Sequence, residues 1–196
     1  MALVAMLSAA APNLAAEPPA ATAQSPSPSL ASKPLGEMSM DELFATLADP
    51  ANDARGRAAE KEIQRRWSRS GSATIDLLMS WAQQSLAAKD YGRALDFLDQ
   101  VVMLKPDYAE GWNRRATVFY LQDEYGKALS DIEKVLILEP RHFGALAGIG
   151  TIFEELDRKA DALAAFEQAL AIDPYLDDDV RKSIDQLKPD VEGEQI

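Results

Sequence analysis

Three prolines, Pro106, Pro140 and Pro174, stand 34 residues apart, and the same period holds at many positions between them. Ala94, Ala128 and Ala162 are in phase, each followed by a leucine, at Leu95, Leu129 and Leu163. Leu98, Ile132 and Phe166 are in phase too, as are Val101, Val135 and Ala169. Earlier in each unit the phase joins Leu78, Trp112 and Leu146, then Ala82, Ala116 and Gly150, then Ser85, Phe119 and Phe153. A fixed period of this length marks one supersecondary unit copied along the chain, in which each copy buries its apolar face against its neighbours.

Each unit reads as two short amphipathic helices. Trp112, Arg115, Ala116 and Phe119 follow helical spacing, and after a turn Leu129, Ile132, Val135 and Leu136 follow it again. Asp107 to Glu110 reads as a capping box placed just after Pro106, which ends the preceding helix. Ala82, Ala116 and Gly150 are expected to face Ala94, Ala128 and Ala162, so that paired helices approach closely while larger residues fill the flanking holes. Upstream, Ser39 and Glu42 form a second capping box that opens a helix reaching about Ala48, and Pro50 breaks it. Another helix is expected from about Asp53 to Arg69, stopping at Gly71.

This spacing resembles the tetratricopeptide repeat (TPR) family over residues 75–176, as three consecutive units. Ala109-Glu110-Gly111-Trp112 through Ala128 to Pro140 carries the family's order of Trp, small, aromatic, Ala, aliphatic and Pro. The wording around Ala109–Leu121 is also similar to exported TPR proteins of proteobacteria. The resemblance implies an all-α fold: a right-handed superhelix of antiparallel helix hairpins, with units at about 75–108, 109–142 and 143–176. The upstream pair of helices (Leu43, Phe44, Leu47, Ile63, Trp67) lacks the signature and is expected to be a divergent hairpin capping the array. A capping helix is expected at 175–188, closing a domain of residues 39–188, with 189–196 as an acidic frayed tail.

In a TPR superhelix the first helix of each unit lines a concave groove, and the resemblance maps that face residue by residue. It gives Asp76, Met79, Ser80 and Gln83 in the first unit, and Glu110, Asn113, Arg114, Thr117 and Tyr120 in the second. In the third it gives Gly144, Ala147, Gly148, Thr151 and Glu155. Chaperone-binding members grip a C-terminal peptide with a clamp of Lys, Arg and Asn. Here Met79, Gln83, Gly144 and Gly148 stand at clamp positions and only Arg114 remains, which argues against such a ligand. Gly144 and Gly148 either open a shallow pocket floored by Ala147 or are simply tolerated at a weak helix start.

Arg115 fills a slot held by Trp81 and Ile149 in the neighbouring units, so it is expected to point inward and pair with Asp131 as a structural ion pair. In Arg65-Arg66-Trp67-Ser68-Arg69, the spacing puts Trp67 with Ile63 on the core side and leaves the arginines to snorkel around it. His142 lies in a turn with no second ligand nearby and reads as structural. Asp177-Asp178-Asp179 lacks the glycine turn and spaced oxygens of a calcium loop and suits a helix start.

Composition then narrows function. The net charge of -12 opposes nucleic acid and anionic lipid as partners. With no cysteine and one histidine there is little material for a metal or cofactor site, and no nucleophile–base set or phosphate loop is visible. The expectation is a non-catalytic module that binds a protein or peptide, with a self-associating homodimer or a holdase for exported polypeptides as alternatives. Residues 1–23 read as a signal peptide or a disordered leader. Ala2 to Ala16 is apolar but too short to span a bilayer, and Ala21-Thr22-Ala23 offers a small-x-small cleavage site, with Ala16 a second one. No Lys or Arg precedes that stretch, a departure from the pattern. Residues 24–38, rich in Pro, Ala and Ser, read as a linker. The expected location is periplasmic or secreted, or alternatively cytoplasmic with a disordered N-terminus.

Overall fold

The computed structural model describes residue 30 and residues 32–193, and among these every regular element is helical. Nine α-helices follow a short 3-10 turn at Leu35–Glu37: α1 Met40–Leu47, α2 Asp53–Trp67, α3 Ala73–Ala87, α4 Tyr91–Leu104, α5 Ala109–Tyr120, α6 Tyr125–Leu138, α7 Phe143–Glu155, α8 Lys159–Ile172 and α9 Asp178–Gly193. The fold is an all-α array of antiparallel hairpins, with α3–α4, α5–α6 and α7–α8 packed side by side in chain order. The signal peptide or leader expected at 1–23, residues 24–29 and 31 of the expected linker, and the last three residues of the expected tail lie outside the described residues.

The hairpin geometry comes from two recurring devices. Between the two helices of each unit one residue takes a left-handed conformation: Lys89, Asp123 and Asp157, with φ of 59°, 58° and 56°. They stand one repeat apart and turn the chain within a few residues, a conformation that Asp tolerates better than Lys. The second device is the small seam residue. Ala82 packs with Leu98 and Ala116 with Ile132, whereas the third unit carries the larger Phe166, and there the seam residue is Gly150. A Cβ on Gly150 would lie 2.5 Å from the Phe166 ring. The glycine is thus the volume complement of the phenylalanine.

Capping is mixed. Ser39 and Glu42 form the expected box, with the Ser39 N–H donating to Glu42 Oε2 at 2.7 Å. The box expected at Asp107 does not form: Tyr108 is the residue before α5, and Asp107 instead accepts from Lys105. Glu110 cannot reach back because its carboxylate is committed elsewhere, as described below.

The upstream hairpin is the main correction. It does not stack on the first unit as a terminal repeat. Instead α2, about 22 Å long at 1.5 Å per residue, runs lengthwise across the turns that join successive units. At its C-terminal end the Tyr108 hydroxyl donates to the Ser68 carbonyl at 3.0 Å. One step along, Trp67 stacks on His142 (centroids 4.2 Å apart, planes 10° apart) and lies 5.0 Å from Phe143. At its N-terminal end Tyr175 occupies the space a Cβ of Gly56 would fill and carries the Arg57 guanidinium 4.8 Å from its ring. Arg141 adds an ion pair to Asp41 at 2.8 Å and lies over the Phe44 ring. One core cluster therefore joins Leu43, Phe44, Leu47, Ala59 and Ile63 to Phe143, with Ile172, Tyr175 and Leu176 packed against it.

Residues placed in the linker belong to this strap. Met38 is buried, Leu30 and Leu35 pack against its core, and Arg66 donates to the carbonyls of Leu35, Gly36 and Met38. Arg66 is therefore a staple rather than a snorkelling charge, while Arg65 pairs with Glu62. At the other end α9 starts at Asp178, because Tyr175 is taken up by the strap. It continues through Pro189 to Gly193, so residues 189–193 are helical rather than tail. The proline removes one backbone donor there, at the exposed end of the helix where the loss is small.

Candidate functional site

The first helices of the three units, α3, α5 and α7, lie next to one another, and two hollows open between them. The first, of about 230 Å³ between α3 and α5, has an apolar floor of Ala82, Leu86, Leu98 and Val118 with Met79 on its wall. Asp76, Ser80, Gln83 and Arg114 stand on its rim, the buried Glu110 borders it, and Ser68 from the strap closes one side. The second, of about 200 Å³ between α5 and α7, has Ala116, Ile132, Ala145 and Ile152 beneath a rim of Asn113, Thr117, Tyr120, Gly144, Gly148 and Thr151. Twelve of the fourteen mapped groove residues thus line two adjacent hollows. Ala147 and Glu155 line neither, and the floor beneath Gly144 and Gly148 is Ala145 and Ile152 rather than Ala147. The reason is helical phase: Ala147 lies two residues from Ala145 and points to a different side of α7.

Several of these groups already have partners. Ser70 donates through its hydroxyl to Asp76 at 2.6 Å, so Asp76 ties down the link between strap and array. Thr117 and Thr151 donate to the carbonyls of Asn113 and Ala147 one turn back, which leaves their oxygens able to accept. Glu110, expected on an open face, is buried. It accepts from Arg114 at 2.6 Å and Asn113 at 2.9 Å, and His142 Nε2 stands 3.5 Å away. His142 Nδ1 accepts the Ala145 N–H at 3.1 Å and caps α7, which assigns the ring proton to Nε2 and aims it at Glu110. Burial pushes the Glu110 carboxyl up, but His142, Arg114 and Asn113 together outweigh it and hold it below its ordinary 4.5.

That depression fixes a pH dependence. The stability supplied by ionised Glu110 is fully present above about pH 4.5 and is lost as pH falls through its lower folded value. Glu110→Gln is expected to cost roughly 1–3 kcal/mol at pH 7, and its urea midpoint should converge with that of the parent as pH approaches 3. A gap that persists unchanged in acid would show that the charge is not its source.

The glycines divide by what surrounds them. Gly148 has Ile132 Cδ1 at 3.6 Å from a built Cβ, and Gly144 has only the His142 ring at a similar distance, so both accept a methyl group. The Gly144→Ala/Gly148→Ala protein is expected to gain about 1 kcal/mol from helix propensity. Gly150→Ala, made on the same helix, is expected to lose roughly 1–3 kcal/mol by overpacking against Phe166. Urea denaturation of the two proteins distinguishes them by sign.

Carboxylates stand around Tyr120 outside the second hollow: burial first, and then Glu155, Asp123 and Glu154, push its phenol up. Arg115, one step round α5, points away from the groove. It donates to both carboxylate oxygens of Asp131 at 2.7 Å and to Asp99 of the preceding unit at 2.8 Å. What sequence reasoning missed is the third hollow, of about 280 Å³, where Gln64, Trp67 and Ser68 of the strap face Asn113, Arg114 and Gly144. No period marks the strap's position. Among the described residues no group of three or more His, Cys, Asp or Glu could hold a metal ion, and no helix is long and apolar enough to cross a membrane.

Comparison with known proteins points the same way. A tetratricopeptide repeat family model matches residues 143–175, the third unit. A TPR repeat-containing protein of Rhizobium etli is 46% identical over 82 residues, a match that covers 42% of this chain and 40% of that protein. Among solved structures the Sgt2 TPR domain of Aspergillus fumigatus superposes with a TM-score of 0.58 at 20% identity, covering 63% of this chain and 83% of its own. The first TPR domain of Spaghetti (RPAP3), bound to the HSP90 peptide SRMEEVD, gives 0.58 at 16% identity, covering 62% of this chain and 95% of its own. The TPR2B domain of yeast Sti1 in a complex with an Hsp70 peptide gives 0.53 at 20%, covering 59% and 94%. The third unit thus matches the tetratricopeptide repeat family, and the stacked hairpins with their 34-residue period have the fold of tetratricopeptide repeat domains.

Proposed function

We propose that this protein binds an extended segment of another polypeptide along α3, α5 and α7, and acts by binding rather than by catalysis. The observation that carries the reading is the pair of apolar-floored, polar-rimmed hollows on adjacent helices. The two hollows flank α5, and a helix with its side chains is roughly 10 Å across. A segment in the polyproline II conformation, with three residues per turn and about 3.1 Å per residue, puts side chains i and i+3 on one face about 9 Å apart. It therefore sets one apolar side chain in each hollow. The hydroxyls of Thr117 and Thr151 and the Asn113 amide serve its backbone, and the carboxylates of Glu155, Asp123 and Glu154 around Tyr120 favour a basic residue flanking the second anchor. Similar folds bound to HSP90 and Hsp70 peptides support peptide capture as such. The clamp positions here do not support a free C-terminal carboxylate, since Arg114 is already engaged by Glu110.

Selection from a random peptide library, followed by anisotropy on amidated synthetic peptides, tests this. Enrichment of two apolar residues separated by two positions, with flanking Lys or Arg, is expected. Gly148→Phe should fill the second hollow and weaken binding at least tenfold with its melting temperature retained. Unchanged affinity in that variant would overturn the proposal. The same proposal sites the protein in the cell envelope, supported by the apolar Ala2–Ala16 stretch and Ala21-Thr22-Ala23. A mature chain beginning after Ala16 or Ala23 is the expected result of N-terminal sequencing, and Met1 retained in a cytoplasmic fraction would reject it.

A further inference from the structure

Among the described residues the array is closed at one end only. At the C-terminal end α9 lays Ile184 and Leu187 against Ala162, Leu163 and Phe166 and turns its charged side outward. At the other end no described element covers α3 in this way, because the hairpin that precedes it is committed to the strap position.

Repeat register identifies what that open face is. Leu77, Gly111 and Ala145 share one slot, and Trp81, Arg115 and Ile149 share another. In the second unit both slots meet the preceding hairpin: a Cβ on Gly111 would lie 2.7 Å from Val101, and Arg115 reaches Asp99 at 2.8 Å. In the third unit Ala145 is buried and Ile149 packs into the core with Ile132 and Val135 of the second. The two slots are therefore seam positions between units. In the first unit they hold Leu77 and Trp81, which are 47% and 41% exposed. Trp81 leans on Phe97, with centroids 5.4 Å apart, at the edge of a hollow of about 490 Å³ that also takes in Ala88, Asp90 and Arg93. At the first slot Gly111 and Ala145 let the preceding hairpin approach closely, and Leu77 would hold one off, so the face suits a surface that is not another repeat.

We propose that this face is a symmetric dimer interface and that its occupant is the same face of a second copy. Three observations support that occupant. A head-to-tail contact would have to seat Trp81 on the charged outer side of α9, and it would also propagate as an open filament rather than close. The face carries both signs, Asp90 and Arg93 beside the aromatic pair, so it is self-complementary in charge: a twofold contact can pair Arg93 of each copy with Asp90 of the other. An indole entering a facing hollow also has the size and the polar N–H typical of an interface anchor. Each copy carries a net charge of -12, so salt, by screening the repulsion, tightens the dimer.

Sedimentation equilibrium and light scattering on the full chain test this. A dimer is expected at tens of micromolar, strengthened between 50 mM and 500 mM salt. Trp81→Glu, and separately Leu77→Asp, should weaken dimerisation at least tenfold with helical content unchanged, since neither side chain is buried. Ile137→Glu, on α6 and 65% exposed, should leave the dimer intact. A monomer at all concentrations, growth beyond dimer, or dissociation by Ile137→Glu but not by the two face variants would each overturn the proposal. None of these results depends on whether the groove binds a peptide.

Discussion

Arg115→Ala is expected to lower the unfolding midpoint by roughly 10 °C. The loss arises from what is left behind more than from what is removed. Asp131 is 4% exposed, and its two oxygens are held at 2.7 Å by one guanidinium. That guanidinium is itself packed over the rings of Trp112 and Phe119. Removing one member of a buried pair leaves an uncompensated charge and costs about 3–5 kcal/mol. For a chain of this size each kcal/mol is about 2–4 °C. Asp99 loses less, because its carboxylate is largely solvated. The double variant Arg115→Met/Asp131→Leu is expected to recover most of the loss, since an apolar pair of similar volume often replaces a buried ion pair at little cost. Thermal unfolding of the three proteins separates the two effects. A double variant as unstable as Arg115→Ala would mean that packing, and not the stranded charge, dominates.

Trp67→Ala is expected to release the strap while leaving the array folded. Trp67 joins the two halves of the strap to the array: it stacks on His142, lies beside Phe143 of the array and meets Phe44 of α1 at 6.1 Å. Truncating a large aromatic in such a site costs about 3–5 kcal/mol, and the His142 ring that caps α7 loses its stacking partner with it. The three repeats keep their own core clusters, which share no residue with Trp67. The expected pattern is therefore local. Amide exchange should accelerate across residues 40–67 while 73–193 remains protected, and trypsin should cut early around Arg65, Arg66 and Arg69. Uniform acceleration along the whole chain would show that strap and array unfold as one unit. The groove should also change, because Trp67 and Ser68 wall the hollow that faces Asn113, Arg114 and Gly144.

The groove was legible from sequence wherever its residues inherit their direction from the repeat. Met79, Gln83, Asn113 and Thr117 follow from the resemblance to the repeat family, which fixes the face of each first helix, and the structure sets them around the two hollows. Glu110 shows where that reasoning stops. Its phase points to the groove, but His142 and Arg114 draw the carboxylate into a buried cluster. A helical wheel fixes the direction of a Cβ and not the partner a long side chain finds.

The sequence by itself determined the hairpins, their order, the small seam residues and the Arg115–Asp131 slot pair, because each is a contact between near neighbours repeated every 34 residues. Tertiary structure alone decided the course of α2 and the open face of α3. The contacts that hold α2 join Asp41 to Arg141, Ser68 to Tyr108 and Asp53 to Tyr175, across separations of 100, 40 and 122 residues. A periodic array is written by nearest-neighbour packing, so its signature recurs and can be read. A strap that crosses the array once makes each contact once, and no period records where it lies.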